Sequence, residues 1–268
     1  MRAVVPSVLA VAVVAMTVAG GTPGVDTTAA SLPLGSGIQS ISPTNGEVVG
    51  VAHPVVVTFN QPISNRRAAE RAIAVTSATP MSGKFEWLNN NVVQWVPAQW
   101  WPAHSTIKLS VGTRVAEFIT GPKVVGTADI SDHTFTVTID GLGEGSPISM
   151  PAPHHLPHAG EEGVLLASMG RPEYPTPVGT YTVLAKDRSV IMDSSSVGIP
   201  VTDPDGYRLT VDYAVRITSR GLYVHSAPWA IQSMGFDNVS HGCISLSPAA
   251  AEWYYNTVNV GDPVIVQE

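Results

Sequence analysis

The 268-residue chain has one cysteine, so no internal disulfide is available and packing must hold the fold. Charged residues are scarce at 13%, and the 14 Lys and Arg form no basic run. With a formal net charge of -7, this excludes the electrostatic footprint of a nucleic-acid binder. Scarce charge beside 24 Gly and 22 Pro also argues against long solvated helices and for short strands and turns. Only one apolar run is long. It covers residues 3–20, follows Met1-Arg2 and passes into small residues over 21–31, the layout of a secretory signal. A single N-terminal membrane tether is the alternative, since that run could just span a bilayer. No cysteine follows it, which excludes lipid attachment through an N-terminal Cys.

What is present is apolar, 44% of the chain, enough for a sizeable core. The chain divides into 1–31 as signal or anchor, 32–121 as a first domain and 122–268 as a second. Residues 32–45, rich in Gly, Ser and Pro, read as a linker. Apolar runs at 55–59, 92–96 and 106–111 predict strands, and 64–75 reads as one capped helix. Several short strands in so few residues predict a small β-sandwich. Trp87, Trp95, Trp100 and Trp101 fall in or beside these strands, where core and edge packing is favoured over a sugar platform.

The second domain reads as strands at 134–139, 164–168, 180–184, 211–218, 221–225 and 264–267. One helix follows Ser247 as cap, with Pro248 in its first turn. Residues 141–163 read as a long loop carrying His154, His155 and His158. No Cys or carboxylate spacing completes a metal site there, so a polar lid is the preferred reading and no metal is expected.

The chemistry gathers around Cys243. An unpaired thiol in an exported protein needs a reason, and a thiol becomes a useful nucleophile when an imidazole stands beside it. His225 and His241 both lie within twenty residues. His225 ends an apolar strand, a rigid mount for a base, and is favoured over His241, which shares the cysteine's loop. Gly242 permits a tight turn that leaves amide groups free for a developing oxyanion.

Ser240-His241-Gly242-Cys243, with a His eighteen residues upstream, resembles the signature of the L,D-transpeptidases with a YkuD-type catalytic domain. The resemblance extends through residues 169–181 and 191–195, and the first half is similar to the immunoglobulin-like domain of mycobacterial members. It implies a mainly β chain, an immunoglobulin-like sandwich followed by a β-rich catalytic domain with a short helix. It also implies a peptidoglycan transpeptidase that makes 3→3 cross-links from tetrapeptide donor and acceptor stems, needs no cofactor and reacts with carbapenems. Cys243 would be the nucleophile, His225 the base and the Ser226 carbonyl its orienter. Gly242, Cys243 and Tyr207 would hold the oxyanion, while Met192, Trp229, Ser240 and His241 line the pocket. The family usually has Asn where this chain has Ser245, whose single hydroxyl cannot reproduce both amide contacts. An L,D-carboxypeptidase on the same site and a weakly active wall-binding protein are the alternatives.

Overall fold

The computed structural model describes residues 37–140, 150–153 and 158–268. The apolar run at 3–20, His154 and His155 lie outside the described residues. The first half holds β1 (Ile38–Ser42), β2 (Val48–Val49), β3 (Val55–Phe59), α1 (Arg66–Arg71) and β4 (Ile73–Ser77). β5 (Gly83–Trp87), β6 (Val92–Pro97), β7 (Thr106–Val111) and β8 (Arg114–Thr120) complete it. They form two four-stranded sheets, β1-β3-β6-β5 and β2-β8-β7-β4. Alternation sends Val55, Val57 and Phe59 of β3 inward, where they meet Ile107 and Leu109 of β7.

The tryptophans pack. Trp95 and Trp101 are buried and stacked at 5.4 Å between ring centroids, and Trp101 Nε1 donates to the His53 carbonyl at 2.9 Å. Trp87 stacks on Phe59 and donates to Glu70, while Trp100 lies under the Lys123 ammonium.

Two sequence expectations are corrected here. Residues 64–75 are not one helix. Asn65 caps α1 by accepting from the Ala68 N–H at 3.1 Å, but the chain turns extended at Ile73. Alternating Ile73 and Val75 find partners along β7, and that pairing outweighs local helix preference. Nor are residues 32–45 all linker, because β1 pairs antiparallel with β3 and buries Ile38. Its polar composition suits the sheet edge it occupies.

Gly121 and Pro122 lead into the second half. It opens with β9 (Lys123–Asp129), β10 (Thr134–Asp140), β11 (Val164–Ser168), β12 (Gly179–Thr182) and β13 (Ala185–Asp193). β14 (Arg208–Arg216), β15 (Tyr223–Ser226), β16 (Ile244–Leu246), α2 (Pro248–Thr257) and β17 (Pro263–Gln267) follow. One sheet results, in the order β12-β17-β9-β10-β11-β16-β15-β14-β13. The Ser247 hydroxyl caps α2, and Tyr254 of that helix meets Phe135 edge to face at 4.8 Å. The chain is thus mostly β, with its short helix laid on β14 and β15.

The two halves are bonded where residues 50–52 meet residues 259–262. Gly50 N–H donates to Val260 O and Ala52 N–H to Gly261 O, each at 2.8 Å. Asp262, wholly buried, accepts from Val51 N–H at 3.3 Å and from Asn259 N–H at 2.8 Å. A Cβ on Gly50 would collide with the backbone of Gly261 and Asp262, so only glycine allows this approach. Burial pushes the Asp262 carboxyl up to about 7, against the pull of its backbone donors and of Lys186.

The folded state therefore binds this proton more tightly than the unfolded chain. The stabilisation it gives is complete below the ordinary carboxylate range and is lost as pH rises through about 7. Asp262→Ala should strand two N–H groups and cost about 2–4 kcal/mol. Thermal unfolding of both proteins between pH 4 and 8 checks this: the gap should widen as pH falls.

Candidate active site

The decisive geometry is a parallel strand pair. β15 and β16 run side by side with Val224 opposite Ile244, His225 opposite Ser245 and Ser226 opposite Leu246. Partners in register share a face, and Cys243, the residue just before β16, opens onto the same cavity as Ser245 and His225. Parallel neighbours need a long crossover, which is why Cys243 and His225 are eighteen residues apart in the chain. His225, Cys243, Met192, Tyr207, Trp229, Ser240, His241 and Ser245 line one cavity of about 250 Å³. Leu209 and Val239, which sequence reasoning did not single out, complete its wall. A larger cavity of about 460 Å³ lies behind β11 and α2, but its lining holds no titratable side chain.

His225 is 4% exposed, and its Nδ1 lies 2.8 Å from the Ser226 carbonyl. A carbonyl can only accept, so Nδ1 carries the proton and Nε2 keeps a free lone pair. Burial holds this imidazole below its usual range, although the Ser226 bond pulls the other way. Trp229, 59% exposed, sets its ring 6.2 Å from the His225 ring and shields it from bulk water.

Cys243 keeps one solvent-reachable face, yet burial around the thiol pushes it up to about 11. A backbone hydrogen bond from Tyr223 favours the thiolate, but less strongly. The resting site is accordingly a neutral thiol beside a neutral imidazole. The Cys243 thiol donates to the Gly221 carbonyl, 3.7 Å away.

His241 is placed differently. Its ring stands 5.0 Å from both the Tyr174 and Tyr207 rings, and a backbone hydrogen bond joins it to Asp205. Burial first, then the positive charge of Arg171, keeps it neutral. Arg171 is itself paired with Asp205, which also accepts from the Tyr174 hydroxyl at 3.3 Å. His241 thus packs the pocket wall, and its described partners do not include the thiol. Burial and the nearby Cys243 raise the Tyr207 phenol, which stays a donor at neutral pH.

The turn before Cys243 is tied by hydroxyls. The Ser240 hydroxyl donates to Cys243 O at 2.6 Å and accepts from Gly242 N–H at 3.0 Å. This corrects one expectation: the Gly242 amide already has an acceptor and is not free for an oxyanion. Gly242 has φ +113°, a conformation that only glycine holds without strain. Thr176 and Asn238 carried no signal in the sequence beyond their types. Asn238 accepts from Met169 N–H at 2.9 Å and donates to Ile130 O at 2.9 Å, pinning the segment that leads into Ser240. Met192, on β13, and Ser245, buried on β16, both line the cavity. His158, from the long loop, pairs with Glu161 and Asp132, and no metal-holding cluster occurs among the described residues.

Comparison with known proteins identifies the family. Residues 126–266 match the L,D-transpeptidase catalytic domain, and residues 26–116 match a bacterial Ig domain. The chain is 66% identical to probable L,D-transpeptidase 3 of Mycobacterium tuberculosis over the full length of both. It is 48% identical to L,D-transpeptidase 1 of that organism, over 86% of this chain and 84% of the relative. A crystal structure of L,D-transpeptidase 3 from M. tuberculosis with a faropenem-derived adduct superposes with a TM-score of 0.78. It shares 70% identity, over 87% of this chain and 99% of that one. L,D-transpeptidase 1 in complex with imipenem superposes with a TM-score of 0.75 at 47% identity, over 86% of this chain and 99% of that one. With a bacterial Ig domain ahead of the matched catalytic domain, this chain belongs to the L,D-transpeptidase family of cysteine acyltransferases.

Proposed function

We propose that the chain is an exported peptidoglycan L,D-transpeptidase that forms 3→3 cross-links through a Cys243 acyl-enzyme. The observation that carries this reading is the neutral pair: His225 fixed by the Ser226 carbonyl, with Cys243, the residue just before the adjoining strand, lining the same cavity. His225 Nε2 takes the Cys243 proton as sulfur attacks the diaminopimelate carbonyl of a tetrapeptide stem. The S–C bond forms, the amide C–N bond breaks, and His225 returns the proton to the departing D-Ala amine. The side-chain amine of a second stem then attacks the thioester, giving its proton to His225 and freeing the thiol. Tyr207 and the Cys243 N–H carry the oxyanion in both halves. Met192, Trp229 and Ser245 shape the donor site, and the short Ser245 leaves room where the family's usual Asn would reach further. None of these steps calls on a metal or organic cofactor.

The adduct described for the related L,D-transpeptidase 3 supports covalent capture of β-lactams by the same thiol here. Export places the enzyme at the wall, and residues 1–31 supply the signal or a membrane tether. Among the described residues no helix is long and apolar enough to cross a membrane. The first domain, on this reading, is a spacer carrying the catalytic domain outward.

Mass spectrometry of products from a purified disaccharide tetrapeptide tests the proposal. A cross-linked dimer one D-Ala short of two substrates is the expected product. Tripeptide alone would reassign the enzyme as an L,D-carboxypeptidase, and no product from folded protein would favour a wall-binding role.

A further inference from the structure

Thr176 is 3% exposed and lies in the segment between β11 and β12, remote in sequence from the nucleophile. Its hydroxyl donates to the Gly242 carbonyl at 2.7 Å and accepts from the Gly170 N–H at 2.9 Å. Gly170 in turn bridges to Ser240. The turn at the nucleophile is therefore gripped at three backbone groups by two hydroxyls. Ser240 holds Gly242 N–H and Cys243 O, and Thr176 holds Gly242 O. The group these bonds leave is the Cys243 N–H.

That N–H shares a trans peptide plane with the Gly242 carbonyl, so the two point in opposite directions. A hydroxyl that pins the carbonyl on the buried side fixes the N–H toward the other. Thr176 is absent from the cavity wall, whereas Cys243 is part of it. Gly242 makes the pin necessary, because without a Cβ this peptide plane has little of its own to stop it turning.

We infer that Thr176 is a positioning residue for the transpeptidase: its buried hydroxyl locks the Gly242–Cys243 peptide plane so that the Cys243 N–H faces the oxyanion. The inference rests on the acyl-enzyme mechanism proposed above. It assigns the work of oxyanion stabilisation to a side chain that touches neither substrate nor thiol. Removing an oxyanion donor slows acyl transfer by about 10²–10³-fold, and loosening one should cost about 10–100-fold.

Two reactions of the same thiol separate this role from simple support. Acylation by a penem passes through an oxyanion: the S–C bond forms, the lactam C–N bond breaks, and the thiol proton goes through His225 to the leaving nitrogen. Alkylation by iodoacetamide is a direct displacement in which sulfur replaces iodide and the proton passes to solvent, with no oxyanion formed. Full-length Thr176→Val should acylate about 10–100-fold more slowly with faropenem while its alkylation rate stays within about threefold of wild type. Thr176→Ser, which keeps the hydroxyl, should restore acylation, and Thr176→Ala repeats the measurement if the valine variant folds poorly. Acylation and alkylation falling together, both staying unchanged, or failure of serine to rescue would each overturn the inference. Wild-type protein that gains no mass from faropenem would instead sink the functional reading itself.

Discussion

Cys243→Ala will form no cross-linked dimer, release no D-Ala and gain no mass from faropenem, with kcat/KM down about 10⁴-fold or more. The chain has no second thiol to stand in, and no metal-holding cluster that could activate water occurs among the described residues. The same substitution should barely touch stability. The thiol's hydrogen bonds are a long contact to Gly221 O and a weak one from the Tyr223 backbone, and the residue keeps a face open to solvent. Loss of such a contact falls within about 1 kcal/mol, so the variant should melt near wild type. Intact-protein mass spectrometry beside a thermal melt reads both halves of the expectation. A folded Cys243→Ala protein that still made dimer would remove the acyl-enzyme from the mechanism.

His225→Gln comes second, at about 10²–10⁴-fold in kcat/KM. Glutamine can still donate to the Ser226 carbonyl, but its amide cannot take up the thiol proton. The double variant Cys243→Ala/His225→Gln should be no worse than Cys243→Ala alone, because base and nucleophile act as one unit. The pH profile carries the stricter check. Burial lowers His225 from its usual 6.5, so the neutral base dominates at pH 7 and activity falls only as pH drops through that lowered value. The thiol, pushed up to about 11, adds no inflection between pH 7 and 9. Wild-type acylation should therefore show its acid limb below 6.5 and run flat above 7, and His225→Gln should lose the acid limb. An acid limb that survived the substitution would pass the base role to another group, with His241 the first to examine.

The strands most legible in the sequence were short apolar runs bounded by turn residues. Residues 55–59, 106–111 and 164–168 are strands to the residue. β13 and β14 were harder. Lys186, Asp187 and Arg188 interrupt the apolar pattern of β13 because both of its sides reach solvent along much of its length. β1 was hidden for a similar reason, since an edge strand tolerates the Ser and Gly that also make linkers.

At the site, Cys243 and His225 stood out because a lone thiol near a strand-ending imidazole has few structural explanations. The hydroxyls that tie the turn did not stand out. Thr176 lies between two prolines with nothing in its type to mark it, and its bond to Gly242 joins segments 66 residues apart. Ser240 could be placed by the motif, but not its double grip on the backbone. Asp205 was invisible because it acts on the pocket through Arg171, Tyr174 and its own backbone.

The crossover from β15 to β16 has a consequence for how the cavity is built. Its residues 227–243 leave one strand and return to the next, so their number measures a detour and not the distance between His225 and Cys243. That detour also carries the exposed apolar side chains Trp229, Ile231, Phe236 and Val239. That part of the chain can be lengthened, shortened or repainted without moving the strands that hold His225 and Ser245, so the rim of the cavity and its floor are separable parts of the design.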